Sequence, residues 1–444
     1  MKIPQIKADS KDKLSSGGNL RRIRSELGLR QHEITGDLIT RNLISLIENE
    51  KTPLYERNAR LIAQSINQLN KQKGILAYID AEDILNPEKY DAKKIADSHI
   101  NLLKDRLDEG KLDIKDEEVS EIEKLFRRWN IPDKRAITYE LLGDIYNKKG
   151  QSYEEYYFYS KALESLFALP LRFPNEYQLF LKLIVNRISN NSYSEALKLA
   201  NLAFFQEQDI PSEYLGHFYY YLALCQEKLF QYEQALKNSE QALKFIDDRE
   251  NLTEVYLLKG NCCTQLGNLD KALISYYKAS DLIEEEEEAP QKLITIYFHL
   301  LQVYKTSNEQ SKIENYLNKI RDIINRETEL SDDTKADHFY KLSEFAYYLE
   351  DFNTYEQLLV KALDLSYNCE DSQITSSILA RLIDHYYKSN ALEKVDNLIV
   401  NYQDSIVKLS DEPSIQLLTR IILHYLNQNS TDKSKTILKQ LFSE

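Results

Sequence analysis

The chain is poor in residues that break helices: 11 Gly and 9 Pro in 444 positions. Tight turns need the backbone angles those residues supply, so a turn-rich all-β protein and long flexible linkers are both excluded. Cysteine is scarce as well. Cys225, Cys262, Cys263 and Cys369 make neither a CxxC pair nor a disulfide framework, and they read as buried thiols in a reducing compartment. No apolar run approaches the roughly 18 residues a membrane span needs, and MKIPQIKADSKDK lacks the apolar centre of a secretion signal. These absences lead to the expectation of a soluble, cytoplasmic protein with no membrane contact. What is abundant is Lys, Glu, Leu, Ile, Asn and Tyr, which favours long helices. The length favours several folding units or a repeat array.

Catalytic signatures are missing too. There is no Walker phosphate loop, no GxGxxG, no G-x-S-x-G elbow and no H-E-x-x-H. The histidines (32, 99, 217, 299, 338, 385 and 424) have no ligand spacing between neighbours. Cys262 and Cys263 fall on adjacent faces of one helix, where they cannot share a metal. Asp384 and His385 are sequence neighbours facing different ways. The expectation is a protein that is not an enzyme and holds no metal and no cofactor.

Charge is unevenly placed. Residues 1–70 hold 12 Lys+Arg and 8 Asp+Glu, a net of +4. The remainder holds 57 − 12 = 45 basic and 71 − 8 = 63 acidic residues, a net of −18. Nucleic acid needs a positive surface, so only the head could bind it.

Within residues 18–70, Leu20, Ile23 and Leu27 share one face of a first helix, with Asn19 as a candidate cap and Gly28 as its stop. Gln31–Thr35 reads as a short second helix, and Gly36-Asp37 punctuate its end. Thr40 is a good N-cap for a third helix running to about Asn49, with Ile44 and Ile47 inward. A fourth, Tyr55 to Ile66, buries Ala59, Ile62, Ala63 and Ile66.

From about residue 91 onward the chain repeats. Tyr139, Leu142, Gly143 and Tyr146 are followed by Tyr159 and Ala162. Tyr219, Leu222 and Ala223 are followed by Ala235 and Ala242. Tyr256, Gly260 and Cys263 are followed by Ala272, Tyr276 and Ala279. Each set has the spacing of two crossing antiparallel helices, with small residues where backbones approach. The central small position runs Glu155, Ala196, Ala235, Ala272, Ile313, Tyr355, Val395 and Ser434, separated by 37 to 42 residues. Eight helix pairs follow, with a weaker ninth at about 91–130 ending near Trp129. From Ile313 onward the pairs rest on period more than on small residues.

Two resemblances attach to these motifs. Leu29-Arg30-Gln31-His32-Glu33-Ile34, then Ile39-Thr40-Arg41-Asn42, then Ile44-Ser45-Leu46-Ile47-Glu48-Asn49 resemble the helix-turn-helix of Cro/repressor-type (XRE-family) regulators. The spacing is one residue shorter than usual, as in PlcR-type regulators. The resemblance implies that Gln31 holds a phosphate and that Arg41, Asn42 and Ser45, behind Thr40, face the major groove. Arg suits guanine and Asn suits adenine, and a helix N-terminus suits phosphate. Lys51, Arg57 and the Arg21/Arg22/Arg24 cluster are candidates for backbone contacts. Two positions depart from the pattern: the family's arginine is Leu46, and the glycine after Asn49 is Glu50. The repeats are similar to tetratricopeptide (TPR) repeats. Head and repeats together resemble the RRNPP regulators of low-GC Gram-positive bacteria.

The resemblance implies an all-α chain: a flexible arm at 1–17, a helix-turn-helix at 18–70, a linker at 71–90 and a right-handed TPR superhelix at 91–444. It implies a cytoplasmic transcription regulator that reads a double-stranded DNA operator as a homodimer, with 395–444 in the dimer contact. A short imported signalling peptide would control it, as in quorum sensing. First helices would line the peptide groove, presenting Asp144, Asn186, Tyr220, Glu227, Asn261, Gln265, Phe298, Gln302, Tyr340, Lys341, Glu344, Arg381 and Asp384. Asn and Gln can donate and accept to a peptide backbone at once. For any one of these residues, an ordinary polar surface position is as good an account. Three alternatives stay open: a TPR protein that binds a response regulator or its phosphorelay partner through 91–135, with DNA binding as a second activity; a scaffold for C-terminal tails; and a mobile-element regulator of the same build.

Overall fold

The computed structural model describes residues 14–36, 38–73, 78–170, 175–206, 210–284, 289–366, 372–402, 412–428, 430–432 and 434–435. Expectations that rested on Asp37, Cys369, residues 1–13 or residues 403–411 and 436–444 lie outside these. Among the described residues the chain is all-α, without a strand, and no helix is long and apolar enough to cross a membrane. Two compact units divide it, Met1–Ile246 and Asp247–Glu444.

The first unit opens with α1 (Ser16–Glu26), α2 (Arg41–Glu48), α3 (Glu56–Gln72) and α4 (Ala81–Leu85). Leu20, Ile23, Ile34, Ile44, Ile47, Ile62 and Ile66 are fully buried in a core of their own, separate from that of the following repeats. Three expectations are corrected here. Asn19 is not the cap of α1; Ser15 is, accepting from Gly18 N at 3.0 Å. Asn19 lies a turn inside the helix, buried, where its amide donates to the carbonyls of Asp83 (2.8 Å) and Ile84 (2.9 Å).

Gln31–Thr35 is not a helix; a turn spans Gln31–Ile34. Gly28 (φ 65°) and Gly36 (φ 55°) break the backbone on either side, and the Glu33 carboxylate takes the Arg30 N–H at 2.5 Å. A segment that short cannot recover the cost of helix nucleation.

Of the expected linker at 71–90, the described residues carry helix and core. α3 continues to Gln72, and Ile79, Ile84 and Tyr90 complete the head's core. There the head meets α5 (Pro87–Asp108) through buried charge. Lys93 donates to Tyr78 O (2.5 Å) and Asp83 Oδ2 (2.6 Å), and lies 3.5 Å from Asp133. Lys89 pairs with Asp80 (2.5 Å) and Glu82 (2.9 Å). Burial works against the Lys93 charge, but attraction to Asp133 and Asp83 outweighs it, so its pKa is raised.

α6 (Asp116–Arg128) ends at Trp129, the expected boundary. The pairs α7/α8 (Pro132–Lys148, Ser152–Phe167), α9/α10 (Asn175–Ser189, Tyr193–Gln206) and α11/α12 (Ser212–Lys228, Tyr232–Ala242) complete the unit. The second unit holds α13/α14 (Arg249–Gln265, Leu269–Glu284), α15/α16 (Pro290–Ser307, Gln310–Arg326), α17/α18 (Asp332–Tyr348, Phe352–Ser366), α19/α20 (Ser372–Lys388, Leu392–Asn401) and α21 (Glu412–Asn427).

Every central position is buried, Glu155, Ile313, Tyr355, Val395 and Ser434 included. From Glu155 to Val395 each is the fourth residue of its second helix. The backbone repeats with it: Gly150, Asn191, Phe230, Gly267, Asn308, Glu350 and Asn390 all have φ between 56° and 74°, each five residues earlier. A Cβ on Gly143 would lie 2.4 Å from the Tyr159 ring, and one on Gly260 2.4 Å from Tyr276. That is the close crossing the small residues indicated.

Candidate functional site

Each unit presents one candidate surface. In the head, the Thr40 hydroxyl accepts from Leu43 N (3.3 Å) and starts α2. Arg41, Asn42 and Lys51 are exposed, and Ser45 is half-buried. α2 ends where Glu50 takes φ 59°, the position at which the family pattern has glycine. A left-handed side chain costs about 1 kcal/mol. Its carboxylate accepts from the Ser15 hydroxyl, which ties the end of α2 to the start of α1.

Behind α2 lies a polar lock. Arg24 grips buried Glu48 with two nitrogens (2.6 and 3.0 Å) and donates a third to Leu29 O (2.8 Å). Gln31 Nε2 donates to the same carboxylate at 2.8 Å. Arg24 is therefore withdrawn from phosphate, and Gln31, expected to hold one, has its amide turned inward. Arg22 is likewise taken by Asp91 (2.6 Å) and the Tyr90 ring. Arg21, Arg41, Lys51 and Arg57 remain exposed. Spacing showed which residues could reach outward but not which were already engaged.

In the first unit's repeats the expected groove residues are mostly structural. Asn186 is buried and donates to Ser152 O and Oγ, both at 3.0 Å, so it is corrected from a ligand contact to a bond between helix pairs. Asp144 accepts from Tyr159 Oη (2.7 Å) and Lys182 (2.7 Å). Tyr220 lies half-buried against Tyr221, and Glu227 lies 3.1 Å from Lys228.

The second unit gathers more of them. A cleft of about 400 Å³ is lined by Lys305 of α15, Glu344 and Tyr347 of α17, Tyr355 of α18, and Arg381, Asp384, His385 and Lys388 of α19. Arg381 donates to Glu344 (2.6 Å), and its guanidinium lies 4.5 Å over the Tyr340 ring. Burial opposes the Arg381 charge, yet the Glu344 bond holds its pKa above the ordinary value. Asp384 is paired with Arg420 at 2.9 Å. Burial lowers the His385 pKa and pushes the Tyr355 hydroxyl up to about 12, so the first is neutral and the second a donor at neutral pH.

Of the remaining expected residues, Phe298 sits among His338 and Phe345, Asn261 accepts from Tyr276 Oη (2.8 Å), and Lys341 pairs with Asp337 (2.6 Å). Gln265 and Gln302 are exposed, outside the cleft. Lys305, Tyr347, Tyr355, His385 and Lys388 were missed. Arg381, Asp384, His385 and Lys388 stand at i, i+3, i+4 and i+7, one helical stripe, which was the available signal.

No family model matches the chain. The Tonsoku-like protein of Drosophila melanogaster is 29% identical over 175 residues, 38% of this chain and 12% of that protein. The chain thus spans a small part of that relative. Among solved structures, the apo form of RapI has a TM-score of 0.52 at 12% identity, covering 70% of this chain and 85% of that one. The apo quorum sensor NprR of B. thuringiensis has a TM-score of 0.50 at 13% identity, covering 86% and 99%. A multidomain signal-transduction ATPase with a tetratricopeptide repeat sensor, from Pyrococcus horikoshii, has a TM-score of 0.51 at 14% identity, covering 98% and 65%. At these identities the likeness shows the fold: stacked helix pairs of the TPR type.

Proposed function

We propose that this chain is a non-enzymatic, peptide-controlled transcription regulator, with the head reading DNA and the TPR repeats sensing a short peptide. The observation that carries the reading is the pairing, in one chain, of a basic head whose capped α2 exposes Arg41 and Asn42 with a repeat cleft lined mainly by first helices. Likeness to a quorum sensor of the same fold supports it. The protein would act in the cytoplasm as a homodimer. Val400, Leu423 and Leu426 are large apolar side chains left exposed near the end of the repeats, which supports the 395–444 region as part of that contact. Peptide would favour one packing of the repeats and so change how two heads meet two half-sites.

The test is a mobility-shift titration on the DNA upstream of the protein's own gene, with and without peptides encoded by neighbouring small reading frames. A shift that peptide alters, and that Arg41→Ala abolishes, is the expected result. A shift indifferent to every peptide would point the repeats toward a protein partner such as a response regulator. Absence of any shift at low salt, where phosphate contacts are strongest, would overturn the DNA-binding reading.

A further inference from the structure

The charges around the second unit's cleft do not cancel. Arg381 is neutralised by Glu344 (2.6 Å) and Asp384 by Arg420 (2.9 Å). Nearby Glu356 is held by Lys394 at 2.6 Å. Lys305 and Lys388 are left over, with no carboxylate within ion-pair distance among the described residues. Both are held by aromatic rings instead. The Lys305 ammonium lies 5.3 Å from the Tyr348 ring centre and 5.7 Å from that of Phe345. Lys388 lies 5.5 Å from the Tyr347 ring centre and donates to its hydroxyl at 3.2 Å. Ring faces orient a cation without neutralising it. The Tyr348 hydroxyl donates to Asn308 Oδ1 (2.8 Å) and lies 3.3 Å from Lys305 O, fixing the end of α15 against α17 and with it the root of the Lys305 side chain.

We propose that Lys305 and Lys388 bind a carboxylate of a short peptide lying in this cleft. The inference rests on the peptide-sensing reading above and specifies the chemistry of that site. Three features favour a carboxylate on a small chain. The cleft, at about 400 Å³, is at the small end of the range for ligand sites, about 300–1,000 Å³. The one guanidinium fork that would grip a phosphate with two parallel bonds is already engaged by Glu344, leaving lysine point charges. Tyr347 and Tyr355 add apolar ring surface with hydroxyl donors, which suits a peptide's mixture of side chain and backbone. The carboxylate comes either from the peptide's C-terminus or from an Asp or Glu side chain, and the experiment separates the two.

The probe is a random heptapeptide library in three forms: free C-terminus, amidated C-terminus, and free C-terminus without Asp and Glu. Each is passed over the immobilised full-length protein, and retained peptides are quantified by mass spectrometry. The wild type should retain carboxylate-bearing peptides, with about a tenfold loss for each of Lys305→Gln and Lys388→Gln, the size of one charged contact. Lys312→Gln, which removes an exposed lysine of α16 outside the cleft, should leave retention unchanged. Loss on amidation assigns the C-terminus; loss on omitting Asp and Glu assigns a side chain. Peptides retained equally in all three forms, or equally by wild type and the double variant, would overturn the carboxylate assignment while leaving peptide sensing intact. No retention of any library would overturn peptide sensing itself. Matching thermal melts of wild type and double variant confirm that both are folded.

Discussion

Lys93 and Lys388 are the same side chain in opposite circumstances. Lys93 is 3% exposed at the junction of head and repeats, surrounded by Asp83, Asp133 and the Tyr78 carbonyl. Lys388 stands open in the second unit's cleft with a ring and a phenol for company. A buried ammonium is tolerated only when its partners repay the lost hydration, so a buried lysine this well paired is an architectural device. An exposed one loses little hydration and needs no partner. When it is left unpaired beside aromatic surface in a cleft, it is available for a ligand. In this molecule, charge satisfied within the chain marks structure, and charge left unsatisfied at a concave surface marks candidate function.

The junction offers the sharpest way to break that comparison. Lys93→Met leaves Asp83 and Asp133 buried beside an apolar side chain, and should cost about 3–5 kcal/mol in urea unfolding. A cost no larger than that of Lys388→Met would erase the distinction. The next effect in size is steric. Gly143→Ala and Gly260→Ala each drive a methyl into a tyrosine ring and should cost about 1–3 kcal/mol, one in each unit. Calorimetry would show whether each change lowers its own transition.

Phe230 and Glu350 occupy left-handed turns that Gly or Asn occupies in the other pairs. Phe230→Gly and Glu350→Gly should each stabilise by about 1 kcal/mol, read as a raised melting temperature, because they relieve a side-chain clash. Destabilisation would mean that the exposed Phe230 ring packs usefully on Tyr232, 6.2 Å away. The smallest effect belongs to Lys388→Gln, which should change stability by less than about 0.5 kcal/mol. Raising salt should weaken peptide retention at the cleft while hardly moving the Lys93 contribution, because only the exposed charge is screened.

The repeat was legible because its signal is steric and local. Where two helices cross closely only small residues fit, so Gly143 and Gly260 stand on first helices and Ala196, Ala235 and Ala272 on second helices, the last three 39 and 37 residues apart. The positions that rest mainly on period, Ile313, Tyr355 and Val395, are buried in the same register, since helix length sets the period even where side-chain size varies. The left-handed turn five residues earlier was not legible, because Gly, Asn, Phe and Glu all occupy it. The cleft was half legible. Glu344, Arg381 and Asp384 fall in its lining, whereas Asn186 lies elsewhere, in a buried bond between helix pairs.

The errors share a physical cause. Asn19, Arg24, Gln31 and Asn186 each carry hydrogen-bonding groups that position in the sequence, or for Gln31 the family resemblance, assigned to a cap, to phosphate or to peptide. Each is engaged by a partner outside its own segment: Asp83 and Ile84 for Asn19, Glu48 for Arg24 and Gln31, Ser152 for Asn186. Read alone, the sequence determines what depends on neighbours along the chain: the long helices, the boundaries at Thr40 and Gly28, the repeat period and the burial of its small residues. Which polar side chains are spent internally and which remain free was decided by the tertiary structure. A hydrogen bond or ion pair is a property of two groups, and their meeting is settled by packing between elements far apart in sequence.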